Sequence, residues 1–99
     1  MYFLIWDFLV KENLENEFEK AYGNEGVWTD FFKKGTGYSG TLLIKDLADE
    51  RKYFTIDRWE SKDAYESFKC RNRKEYKKID NQCEFLTEQE KLIGYFSDL

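Results

Sequence analysis

Three observations predict an α+β fold in which a four-stranded antiparallel sheet carries its helices on one face. Segments of alternating side chains and segments of helical period follow one another in the order β-α-α-β-β-α-β. The first strand is apolar on both sides and so requires two covers. The chain has 99 residues, 41% apolar and 19% aromatic, with no proline and no internal repeat, which suits one core and one domain over 1–99. A domain of this size buries only about 65% of its unfolded surface, so pairing with a second copy is a natural way to hide more.

The opening MYFLIWDFLV is too short for a membrane span, lacks a basic start and contains Asp7. As a strand it places Tyr2, Leu4, Trp6, Phe8 and Val10 on one face and Phe3, Ile5 and Leu9 on the other. Asn13 is expected to cap a helix running to about Tyr22, with Leu14, Phe18, Ala21 and Tyr22 inward and Gly23 as the stop. A second short helix from Gly26 to Lys34 shows Val27, Trp28, Phe31 and Phe32.

GTGYSG is a turn into a second strand, about Tyr38 to Leu47, and ADERK is a hairpin turn into a third, Lys52 to Trp59. In that third strand Tyr53, Thr55, Asp57 and Trp59 share one face, while Phe54, Ile56 and Arg58 share the other. Ser61 caps the longest helix, read as one unit through Cys83, whose inward stripe is Tyr65, Phe68, Asn72, Tyr76, Ile79 and Cys83. Thr87 with Glu90 forms a capping box for a last turn, and LIGYF closes the chain as the fourth strand. This order is that of a ferredoxin-like sheet, and its bare face is most simply covered by the same sheet of another copy, giving a two-fold homodimer.

A net charge of −4 argues against a nucleic-acid binder. The basic run Lys69 to Lys78 holds six basic residues against one acid and reads as a solvated face partly complementing the acidic first helix, with attraction of an acidic ligand as the alternative. Cys70 and Cys83, about 20 Å apart along one helix, are expected to be free thiols of a reducing cytoplasm. No Cys or His cluster has metal-ligand spacing, since the chain has no histidine, and GTGYSG precedes a strand, unlike a phosphate-binding loop. At the strand-to-helix corner TIDRWESKDAYESF, Trp59 and Tyr65 can face one space. The corner is either a packed junction or a pocket where an indole N–H and a phenol O–H meet a ligand.

Three segments resemble the antibiotic biosynthesis monooxygenase family of dimeric α+β barrels: FLIWDFLVKENLENEFEKAYG, FFKKGTGYSGTLLIKD, and YFTIDRWESKDAYESF with the IGYF end. In the cofactor-free branch that oxidises polycyclic aromatic phenols, an Asn, a Trp four residues on and a Tyr six beyond line the pocket. Trp59 and Tyr65 match that spacing, and Thr55 stands in place of the Asn. The haem-degrading branch uses an axial His, which this chain lacks; Lys78 lies near its place.

The resemblance implies a cofactor-independent monooxygenase-like homodimer with a pocket for a small apolar phenol- or quinol-type molecule, and no cofactor or metal. The implied catalytic residues are Trp59 as donor to an oxyanion and Tyr65 as donor or proton relay; Asp57, on the same strand face, is the nearby candidate base, with an ion-pair or capping role as the alternative. Thr55, Trp28, Phe31, Phe32 and Phe68 are the implied substrate-binding residues. A non-catalytic or purely structural dimer of the same fold is the alternative.

Overall fold

A computed structural model describes all residues, Met1–Leu99. The elements are β1 (Tyr2–Val10), α1 (Glu15–Tyr22), α2 (Val27–Phe32), β2 (Tyr38–Lys45), β3 (Lys52–Trp59), α3 (Lys62–Arg71), α4 (Arg73–Cys83) and β4 (Thr87–Ser97), with a 3-10 turn at Glu84–Leu86 before β4. The sheet is antiparallel in the order β2-β3-β1-β4. All helices lie on one face, as the alternation demands. Leu4, Phe8 and Val10 of β1 and Tyr53, Thr55, Asp57 and Trp59 of β3 are buried there. The opposite face keeps Phe3, Ile5, Phe54 and Ile56 half-buried and leaves Leu42 and Ile44 exposed. No helix of the structure is long and apolar enough to cross a membrane.

Four local expectations are corrected. Asn13 does not cap α1: it sits at φ 69°, a left-handed turn that Asn tolerates, and the helix begins after Leu14 without a side-chain cap. The long helix is two helices, broken at Asn72 (φ −120°, ψ 31°), whose side-chain amide and backbone N–H both donate to the Phe68 carbonyl. β2 ends at Lys45, two residues before the expected Leu47. Thr87 starts no helical turn: it opens β4, and Glu90 lies opposite Phe8 in the β1–β4 register. A strand long enough to follow β1 outcompetes a capping box that has no apolar face to bury.

Ser61 does cap α3, its hydroxyl accepting from the Ala64 N–H at 3.1 Å. Cys70 is exposed and Cys83 buried, both as free thiols.

Beneath the helices the core is largely aromatic. Trp59 packs its ring against Tyr38, Phe68, Tyr65 and Phe32, with centroid separations of 5.2, 5.3, 5.6 and 5.8 Å. Gly35 closes over this cluster: a Cβ there would stand 2.7 Å from Phe68 Cδ1 and 3.0 Å from Trp59 Cη2 and Cζ3. Gly35→Ala is therefore expected to destabilise the fold by about 1–3 kcal/mol through overpacking. Thermal unfolding checks this, and an unchanged midpoint would contradict the packing.

Candidate functional site

Between the inner sheet face and the helices lies a cavity of ≈ 300 Å³. Trp6 and Phe8 of β1, Thr41 of β2, Thr55 and Asp57 of β3 and Glu90 of β4 form its floor. Tyr22 of α1 and Trp28, Thr29 and Phe32 of α2 form one wall, and Lys69, Tyr76 and Asp80 of α3 and α4 form the other. Strand alternation sets the floor, since the inward positions of β2 and β3 carry Thr41, Thr55 and Asp57 where a packed core would carry aliphatics.

Asp57 is the central polar group. It is 7% exposed, and Oδ1 accepts a hydrogen bond from Thr41 Oγ1 at 2.8 Å. Thr41 lies opposite Asp57 in the β2–β3 register, and its hydroxyl also shares a hydrogen bond with the Tyr38 phenol at 2.5 Å. Asp57 Oδ2 has no hydrogen-bond partner. Burial pushes the carboxyl from 3.8 up to about 6, partly opposed by the Thr41 bond. A carboxyl so tuned is a competent proton acceptor near neutral pH.

Around it, burial holds the phenols of Tyr22 and Tyr76 well above their ordinary value. The next contributions are the charge of Glu90 for Tyr22, and those of Asp80 and Asp57 for Tyr76. Both phenols therefore stay protonated as donors. Trp28 Nε1 is a buried indole donor without a hydrogen-bond partner, on a side chain that lines the cavity. Thr29 supports this wall: its hydroxyl lies 2.9 Å from the Asn24 carbonyl, 3.0 Å from that of Gly23 and 3.1 Å from that of Gly26, tying the loop between α1 and α2.

Of the residues expected from sequence, Asp57, Thr55, Trp28 and Phe32 line the cavity together. Trp59, Tyr65, Phe31 and Phe68 do not; they form the adjoining aromatic layer, joined to the cavity wall through the Phe32 ring. Trp59 is wholly buried and its Nε1 has no partner. The Tyr65 phenol, 6% exposed, is kept protonated mainly by burial.

Sequence reasoning did not assign Trp6, Phe8, Tyr22, Thr29, Thr41, Tyr76, Asp80 or Glu90 to the site, and Lys69, read as part of a solvated face, lines the cavity. Thr41 had a signal, a hydroxyl at an inward strand position facing an inward Asp. Glu90 had none, because the strand that carries it was read as a helical turn.

No family model matches the sequence, and no curated protein is detectably similar to it. Solved structures are similar over nearly the whole chain. A single-substitution variant of SnoaB, a cofactor-independent oxygenase from Streptomyces nogalater, superposes with a TM-score of 0.81 at 18% identity, covering 98% of this chain and 91% of that one. A candidate antibiotic biosynthesis monooxygenase from Bordetella bronchiseptica gives a TM-score of 0.79 at 15% identity, covering 99% and 96%. PA3566 from Pseudomonas aeruginosa gives 0.72 at 16% identity, covering 99% and 93%. The chain has the ferredoxin-like α+β fold of these proteins, and at such identities the likeness establishes the fold alone.

Proposed function

We propose that this protein is a cofactor-independent monooxygenase acting on a small aromatic phenol, quinol or anthrone held in the cavity, with Asp57 as the base. The observation that carries the proposal is a buried carboxylate, anchored by Thr41 through one oxygen, on the floor of an aromatic-walled cavity. An electron-rich ring methylene or hydroxyl gives its proton to Asp57. The resulting anion passes one electron to dioxygen, and the two radicals combine at carbon. The peroxide accepts the proton back and loses water, leaving a carbonyl. The substrate supplies every electron, so the protein need only exclude water, hold the ring and stabilise the anion.

The donors for the oxyanion are the phenols of Tyr22 and Tyr76, which line the cavity and which burial keeps protonated, while the Trp28 indole supplies a wall. Thr55 and Phe32 wall the ring, while Trp59, Phe31 and Phe68 hold Phe32 from behind and Tyr65 packs on Trp59. Oxygen uptake with a panel of quinols and anthrones tests the proposal: chelator-insensitive uptake is expected, and none above the buffer rate would sink it. The enclosed packing of Trp59 and Tyr65 favours a second reading, a binding protein without turnover. Ligand binding with no oxygen uptake would establish that reading instead.

The apolar outer face of the sheet supports a homodimer formed sheet against sheet, with exposed Leu42 and Ile44 beside half-buried Ile5, Phe54 and Ile56. Ile56→Asp places a charge at the centre of that face and is expected to give monomers. Sedimentation at micromolar concentration checks this, and a monomeric wild type would overturn the dimer.

A further inference from the structure

We propose that the ligand of this cavity is an aromatic molecule bearing a protonated amine, with its ring among the aromatic walls and its ammonium held at the mouth by Asp80 and Glu90. This deepens the proposal above and rests on the cavity being a ligand site.

The lining carries three carboxylates, Asp57, Asp80 and Glu90, against one cation, Lys69. None of the three carboxylates forms an ion pair within the chain, although six other ion pairs are made elsewhere. Asp80 and Glu90 both line the cavity as exposed residues, near enough for the charge of one to act on the other. Partial shielding of its carboxyl by the cavity first, and then the charges of Asp80 and Glu84, keep the exposed Glu90 above the usual carboxylate range. Like charges left unneutralised around an aromatic cavity favour a cation there and oppose an anion.

Deeper in the cavity, Asp57 is nine-tenths buried and has one carboxylate oxygen unpartnered, an acceptor for a hydroxyl or N–H of the ligand. Ring faces complete the recognition, because an ammonium is attracted to the faces of Trp and Tyr. The rim already shows this: Lys69 Nζ lies 4.7 Å from the Tyr76 ring centroid. The acidic groups do not converge as a metal-ligand set, which suits a diffuse organic cation better than a metal ion. An amine at the mouth also resolves an electrostatic difficulty in the oxidation, since the substrate anion would form among carboxylates unless the substrate brought its own positive charge.

The test is calorimetric titration of the full chain with three probes of one shape: naphthylmethylamine, naphthylmethanol and naphthoate. The amine is expected to bind tightest, by about tenfold over the alcohol, with naphthoate weakest. Asp80→Asn and Glu90→Gln, both at exposed mouth positions, should each weaken the amine about fivefold and leave the alcohol unchanged. Lys69→Met should strengthen the amine, a change of sign that loss of structure would not produce. If the alcohol binds as well as the amine, or the mouth variants bind the amine as the wild type does, the cation inference falls and the ligand cavity stands. If none of the three probes binds, the cavity reading fails and takes this inference with it.

Discussion

Asp57→Asn is expected to reduce oxygen-dependent turnover by about a hundredfold or more while making the folded protein more stable at neutral pH. The two effects have one cause. Burial raises the carboxyl from 3.8 to about 6, so folding favours its protonated form. Well below pH 3.8 the group is protonated in both folded and unfolded chains, and its burial carries no charge penalty. As pH rises from about 4 to about 6 the unfolded chain releases the proton first, and stability falls across that window. At pH 7 the ionised group therefore destabilises the fold by an amount on the order of 1–3 kcal/mol, which an amide would relieve. Wild-type activity should rise with pH through about 6 as the base ionises. A variant that kept its activity, or that lost stability at pH 7 and gained it at pH 4, would show that Asp57 is a structural partner of Thr41 only.

Trp59→Ala is expected to lower stability by about 3–5 kcal/mol, because a wholly buried indole packed against four aromatic rings leaves a void that neighbours cannot fill. In a domain of this size that lowers the unfolding midpoint by more than about 10 °C. Trp59→Phe is expected to cost far less, since it keeps a ring in place and removes a buried donor that has no acceptor. Because Trp59 does not line the cavity, turnover of the Phe variant should stay within about threefold of wild type. A Phe variant as inactive as Asp57→Asn would return the oxyanion donor to Trp59, as the family spacing suggests. An Ala variant as stable as the wild type would contradict the packing itself.

Much of the fold was legible because strands and helices announce themselves by period. Lys52–Trp59 is a strand with the expected bounds and the expected inward face, and Ser61 caps the helix that follows. What failed were contests between a local signal and a longer-range one. Asn13 and Thr87 are both good caps in isolation, but one was taken by a left-handed turn and the other by pairing with β1. Asn72 was counted in the helical stripe because period alone does not reveal an amide that bonds its own backbone.

The candidate site was legible only in part. Asp57 and Thr55 follow from alternation along one strand, and Trp28 and Phe32 from a short aromatic helix. Thr41 shows an inward hydroxyl by alternation but meets Asp57 only through the β2–β3 register, and Glu90 reaches the cavity through the β1–β4 register alone. The pairing of Trp59 with Tyr65 was anticipated and is present at a centroid distance of 5.6 Å, but as core packing next to the cavity.

The account is tested most directly by turnover of an anthrone under isotopically heavy dioxygen, with mass analysis of the product. It predicts that wild-type protein, treated with chelator, places one heavy oxygen atom in the product carbonyl, and that Asp57→Asn does so no faster than buffer. Equal incorporation by the wild type, the variant and buffer alone would contradict it.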